Sequence, residues 1–277
     1  MTIQQSYRHL IQQLQTIYEH REAQTIAQYI FEDAFQIKNT LSTSPFKFQP
    51  QLEKFIPRLI EAEPWQYVVG EADFYSLKFK VDSNVLIPRP ETEELVYWIY
   101  QNHKKQLGLK ILDIGTGSGC IPITLKHLMP TNHVSAIDIS ERALNIAKFN
   151  AKNIGVDVQF IQCDILNKTE QQRLDKYNII VSNPPYIPLK EKALMEDNVL
   201  KHEPDLALFV ENDSPLIFYE TIADFALKHL NDDGYLYFEI NEFLGNDVVA
   251  LLEEREFQNI DLEQDMNGRD RMIKACK

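Results

Sequence analysis

The sequence predicts a Rossmann-like α/β fold, with a mostly parallel sheet that ends in an antiparallel hairpin and a small all-helical domain in front. Three observations predict it. From about residue 109 short apolar runs alternate with helical patterns, the rhythm of βαβ units. A glycine-crowded turn, "LDIGTGSGC", follows the first of these runs, where open α/β sheets bind ligands. The last two strand-like runs, "FQNIDLEQD" and "RMIKAC", have only "MNGRD" between their cores, which is too short for a crossover and suits a hairpin.

Residues 1–70 read as a helical domain. Tyr7, Leu10, Ile11, Leu14, Ile17 and Tyr18 recur at helical spacing. A second helix is expected over 21–36, carrying Ala23, Ile26, Ala27, Ile30 and Phe31, and a third over 49–62 beyond the polar "NTLSTSP". This part holds no catalytic cluster, so it is expected to bind a partner or cover a site. Residues 71–90 are expected to form a β-hairpin linker, and Pro90 opens a helix with acids in its first turn. The α/β domain then spans 91–277. Its strands are expected at 110–115, 133–140, 157–164, "YNIIVSN" and 235–240, followed by the closing pair.

Bulk properties narrow the function. A net charge of -13 over 277 residues disfavours nucleic-acid backbones and anionic membranes as partners. Cys120, Cys163 and Cys276 are scattered without C-x-x-C spacing, which suggests neither a disulfide framework nor a zinc site and fits a reducing cytoplasm. No run has transmembrane length.

The glycine turn carries chemistry. Gly115, Thr116, Gly117 and Gly119 follow Asp113 at the exit of the first strand. A dinucleotide fingerprint needs glycine at its first, third and sixth positions, and the sixth here is Cys120. Asp113 would repel a pyrophosphate and attract an ammonium group. Asp138, at the end of the second strand, can accept from a ribose diol, and Asp164, at the end of the third, suits an adenine edge. Together they describe an adenosine with a nearby positive charge, which is S-adenosylmethionine, and no metal is required.

The fourth strand runs into Asn183-Pro184-Pro185-Tyr186. The prolines force a stiff, extended turn. Asn183 Oδ1 and the Pro184 carbonyl can accept two hydrogens from one substrate nitrogen, while Tyr186 offers a flat face to a planar acceptor. An amide nitrogen is a poor nucleophile, so such a site works by alignment and polarisation.

At this point the chain resembles the release factor glutamine methyltransferases, the PrmC/HemK family. The resemblance runs through "VLIPRPETEELV", "ILDIGTGSG", "AIDISERALNIAKFNA", "NPPYIP", "EPDLAL" and "DMNGRDRMI". It implies a class I S-adenosylmethionine-dependent methyltransferase domain with a seven-stranded sheet, a hairpin linker and an N-terminal helical domain that binds the release factor. It further implies transfer to the N5 amide of the glutamine in a Gly-Gly-Gln tripeptide. Gly115 and Gly117 would line the methionine part of the cofactor, Asp138 the ribose and Asp164 the adenine. Asn183, Pro184 and Tyr186 would hold the glutamine, with Arg89 and Glu91 bracing the site. A monomer acting in the cytoplasm on a protein substrate, without nucleic acid or membrane, is expected. The chain departs from the family at Asn241, where glycine is frequent. The rivals are an adenine-N6 DNA methyltransferase, a methyltransferase of another protein or small molecule, and a non-catalytic binding module. The acidity of the chain opposes the first, and the full set of acids with Asn183 opposes the last.

Overall fold

Local signals place the first helices. In the computed structural model, which describes residues 1–194, 197–211 and 214–277, Thr2 caps helix α1 (Ile3–Leu14). Its side chain accepts from Gln5 N while the Gln5 side chain accepts from Thr2 N, a reciprocal cap of about 1 kcal/mol. Leu10, Ile11 and Leu14 are buried, but Ile17 is 45% exposed. The helix stops before it, so the expected helical spacing no longer applies there. The second helix is α2 (His20–Tyr29), continued by a π-helical turn over Ile30–Ala34. Phe31 in that turn packs on Tyr7, Phe35 and Phe46. Helices α3 (Gln49–Ile60) and α4 (Trp65–Val69) complete this part.

The chain divides into two compact units. The first holds Met1–Glu71, Val81–Ser83 and the described residues of Met195–Glu203; the second holds Ala72–Lys80, Asn84–Leu194 and Pro204–Lys277. Segment 71–90 contains β1 (Glu71–Phe74) and β2 (Leu77–Lys80), paired as a two-stranded sheet.

In the second unit α5 (Pro90–His103) leads to β3 (Lys110–Ile114), α6 (Cys120–Leu128), β4 (His133–Asp138), α7 (Glu141–Ile154) and β5 (Gln159–Gln162). After α8 (Lys168–Gln171) comes β6 (Tyr177–Ser182), and β7 (Ile187–Pro188) pairs with β8 (Phe209–Val210). Short helices α9 (Asp197–His202) and α10 (Asp205–Leu208) lie between β7 and β8 in the chain. Then follow α11 (Ile217–His229), β9 (Leu230–Glu239), α12 (Gly245–Glu254), β10 (Gln258–Gln264) and β11 (Asp270–Cys276). The seven-stranded sheet has the order β10-β11-β9-β6-β3-β4-β5. β9, β6, β3, β4 and β5 are parallel, and β10 and β11 are antiparallel, as expected. β9 begins at Leu230, earlier than the expected strand at 235.

Strand parity sorts the core. Leu112, Ile180 and Phe238 point to one face, with Tyr219 and Ile222 of α11 and Val248 of α12. Ile111, Ile179 and Tyr237 point to the other, with Leu95 and Ile99 of α5 and Ile123 of α6. Because side chains alternate, Asp113 and Glu239 share this second face. The chain reverses direction across the sheet between β3 and β6, the place where open α/β sheets leave a crevice.

Gly119 (φ 82) caps the start of α6, and a Cβ there would lie 2.7 Å from Ile123 Cδ1 and 3.0 Å from Ala147 Cβ of α7. Gly119→Ala is therefore expected to destabilise the fold by about 1–3 kcal/mol in urea unfolding, through overpacking and backbone strain.

Candidate active site

The site grows out of the carboxyl ends of β3, β4, β6 and β9. Ile114 of β3 pairs with Ser182 of β6, so Gly115 and Asn183 leave the sheet side by side, about 5 Å apart at the strand spacing. Ser182 Oγ donates to Ile114 O at 2.8 Å and ties the two exits together. The glycine turn folds over the neighbouring strand. Gly115 N and Thr116 N both donate to Ile137 O, at 2.9 and 3.0 Å. Gly115 (φ 75) and Gly117 (φ 54) lie in the left-handed region, and a Cβ at either would meet nothing within 4 Å. The turn thus presents bare backbone to open space. Gly119 is the exception, since its missing Cβ serves the approach of α6 to α7.

Asp138 organises this turn. Its Oδ2 accepts from Gly117 N at 2.9 Å and its Oδ1 from Ser140 N at 2.8 Å. Burial raises its pKa and these two backbone bonds offset part of the rise. Each oxygen keeps a second lone pair for a ligand. Cys163 N donates to Asp138 O at 3.1 Å, which brings the turn of Asp164 beside β4. Asp164 lies two residues past β5, is half-buried, and accepts from Leu166 N at 2.9 Å.

Asp113 is fully buried, and neither of its carboxylate oxygens has a hydrogen-bond partner among the described residues. The hydroxyls of Thr116 and Ser118 are buried and unpartnered too. Burial pushes the Asp113 carboxyl up to about 7; the Thr116 hydroxyl offsets part of this, short of a well-formed hydrogen bond, and the Asp138 charge adds to it. A buried carboxylate without partners is costly unless a cation or donor meets it. The residues therefore fit the positively charged amino-acid end of S-adenosylmethionine, with open backbone at Gly115 and Gly117 beside it. Among the described residues no cluster of three or more His, Cys, Asp or Glu is placed to hold a metal ion.

The second half of the site surrounds Asn183, one residue past β6 and half-buried. Its Nδ2 donates to Thr92 Oγ1 at 3.3 Å, and Thr92 Oγ1 donates to Glu239 Oε2 at 2.6 Å. Glu239 is 2% exposed. Burial raises its carboxyl to about 7; the Thr92 hydrogen bond, the Arg271 charge and a hydrogen bond from Asn183 lower it, and the Glu91 charge adds to the rise. Pro184 is buried; Pro185 and Tyr186 are half-buried. Burial pushes the Tyr186 hydroxyl up to about 12; Glu239 and Glu91 add to the rise, and Arg271 and Arg89 oppose it. Arg89 and Glu91, from the start of α5, thus lie within electrostatic reach of the tyrosine.

Three partners were not among the sequence candidates: Thr92, Glu239 and Arg271. Glu239 ends a strand just as Asp138 does, so the strand-end reasoning, carried to β9, would have found it. Thr92 and Arg271 lie inside the motifs "RPETEE" and "NGRDRMI" but carry no spacing signal. Asn241 turns back on its own loop, its Oδ1 accepting from Phe243 N at 2.9 Å. The Cys120 and Cys163 thiols are pushed up by burial to about 12 and about 11, which keeps them protonated.

A carboxyl whose folded pKa lies above its unfolded value binds its proton more tightly in the fold. For Asp113 the stabilisation is fully present below the unfolded value of 3.8 and is lost as pH rises through about 7. Asp113→Asn removes this loss. Without cofactor, the melting temperature of the variant relative to wild type is expected to be higher at about pH 8 than at about pH 5.

A family model described as a methyltransferase domain matches residues 105–262. A release factor glutamine methyltransferase of Flavobacterium psychrophilum is 44% identical, over 96% of this chain and 95% of its own. One from Lactococcus lactis is 49% identical over 78% of each chain. Among solved structures, a methyltransferase from Pyrococcus furiosus covers 83% of this chain and 97% of its own with a TM-score of 0.53 and 15% identity, a likeness of fold. Identity at this level along nearly the whole length places the chain in the release factor glutamine methyltransferase family.

Proposed function

We propose that the protein transfers a methyl group from S-adenosylmethionine to the side-chain amide nitrogen of the glutamine in the Gly-Gly-Gln tripeptide of peptide chain release factors. The observation that carries this reading is the β3–β6 pairing, with an open glycine turn and an unpartnered buried acid on one strand exit and Asn183 on the next. Bound S-adenosylmethionine supplies an electrophilic methyl on a sulfonium. Asp113, Thr116 and the bare backbone at Gly115 and Gly117 are suited to its charged amino-acid end. Asp138 and Asp164 are suited to ribose and adenine, and Gly119 holds the turn in shape.

On the acceptor side, Asn183 Oδ1 and the Pro184 carbonyl take the two hydrogens of the glutamine amide, which turns the nitrogen lone pair toward the donor. Tyr186 covers the amide plane, Pro185 stiffens the turn, and Arg89 and Glu91 set the charge around the tyrosine. The new carbon–nitrogen bond forms as the carbon–sulfur bond breaks, and the nitrogen then loses one proton. Asn183 accepts a hydrogen bond from that proton but is too weak a base to keep it, so it passes to water. The helical first unit is assigned to gripping the release factor. A translation factor as substrate sets the protein in the cytoplasm; among the described residues no helix is long and apolar enough to cross a membrane.

The test is transfer of labelled methyl to a release factor, to the same factor with Gln→Ala in the tripeptide, and to DNA. Label is expected only on the unmodified factor; label on the altered factor or on DNA overturns the reading. Asn183→Ala is expected to lower kcat by about 10²–10³-fold, the loss typical of one preorganised polar group, while calorimetry finds cofactor affinity unchanged.

A further inference from the structure

We propose that Glu239, acting through Thr92, is a positioning residue that decides which end of the Asn183 carboxamide faces the substrate. The proposal rests on the methyl-transfer reading above and deepens it.

A carboxamide has two ends of nearly equal shape and opposite hydrogen-bonding character. With Oδ1 toward the substrate, Asn183 accepts from the glutamine amide. With Nδ2 there, two NH₂ groups would face each other and the acceptor would be turned away. Something must choose between them. Among the described residues the Asn183 side chain meets Thr92 Oγ1, at 3.3 Å, and lies within hydrogen-bonding reach of the Glu239 carboxylate, which likewise calls for the NH₂ end. Thr92 has a single hydroxyl hydrogen. Glu239 lies on its other side at 2.6 Å, in the range of a hydroxyl bonded to a carboxylate. An ionised carboxylate only accepts, so it commits the Thr92 hydrogen to itself. Thr92 Oγ1 is left with lone pairs toward Asn183. Those can meet only the NH₂ end, and Oδ1 is turned outward. Thr92 is 3% and Glu239 2% exposed, so water does not compete for the bond between them.

Protonation of Glu239 undoes the selection. A carboxylic acid can donate to Thr92, which frees the threonine hydrogen for Asn183 Oδ1 and favours the wrong orientation. The charged and titratable groups facing Glu239 are Arg271 from β11, Glu91 from α5, Tyr186 beyond β6, Tyr219 from α11 and Cys120 from α6. Arg271 is the cation among them and favours the ionised form. Tyr219 is anchored separately, its hydroxyl donating to the Glu239 main-chain oxygen at 3.2 Å. With the carboxyl near 7, the orientation switches within the neutral range.

The experiment uses the full chain, labelled S-adenosylmethionine and a release factor, with kcat and KM measured from about pH 6 to about pH 9. Thr92→Val keeps the shape and removes the hydroxyl; it is expected to lower kcat about 10- to 100-fold with cofactor affinity unchanged. Thr92→Ser restores the hydroxyl and is expected to recover most of the rate. Wild-type kcat is expected to rise with pH through a value near 7, and Glu239→Gln to be slower and to lose that rise. Followed by carbon NMR, the Glu239 carboxyl is expected to titrate higher in Thr92→Val, which lacks the bond that favours the ionised form. A folded Thr92→Val with wild-type kcat, a Thr92→Ser as slow as Thr92→Val, or a Glu239→Gln that keeps the pH rise would each overturn the proposal. An Asn183→Ala enzyme that is inactive beside a fully active Thr92→Val leaves the methyl-transfer reading standing and removes only the relay. A wild type that labels no release factor removes the function itself.

Discussion

Asp113, one residue before the end of β3, has both carboxylate oxygens buried and without a hydrogen-bond partner among the described residues, and Glu239 ends β9 on the same face at 2% exposure. Two carboxyls held out of water are a standing electrostatic cost, and burial pushes both up to about 7. The surrounding structure is arranged around that cost. On the β3 side no hydrogen-bond donor among the described residues answers Asp113, and the glycine turn leaves room for a cationic ligand. On the β9 side Thr92, Arg271 and Asn183 answer Glu239. The first acid is prepared for a ligand; the second has become part of the framework.

Parallel strand pairing then converts two loops into one site. Ile114 opposite Ser182 brings the exits of β3 and β6 together, which no local property of either loop could do. Parity does the rest. Asp113, Glu239 and the first turn of α5 all lie on the face where that helix packs, so Thr92 can reach between Glu239 and Asn183. Pro90 starts the helix, and two residues later a buried hydroxyl lies within hydrogen-bond reach of both Asn183 and Glu239.

Much of this was legible in the residues. Alternating elements, the short link between the last two strands and the glycine turn foretold the parallel sheet with its antiparallel end, because strand and helix periods and turn lengths are local properties. Asp113, Asp138 and Asn183 stand out in the sequence because they sit at strand exits beside glycine or proline signals. Ile17 was misjudged because a helix pattern does not say where the helix stops. Glu239 escaped notice because its strand-end position lacked an accompanying glycine or proline. Thr92 and Arg271 escaped because their partners are distant in the chain, and sequence spacing carries no record of such contacts.

The sequence by itself determined the kind of chemistry: acids at strand ends, a bare backbone turn and an amide before two prolines specify a cationic adenosine ligand and a planar nitrogen. The tertiary structure decided which groups work together. Only folding sets Gly115 beside Asn183, separates the packing glycine at 119 from the open ones at 115 and 117, and places Thr92 between Asn183 and a buried carboxylate. The physical reason is that residue type sets what a group can donate, accept or charge, whereas burial and long-range pairing set how strongly it does so and toward what.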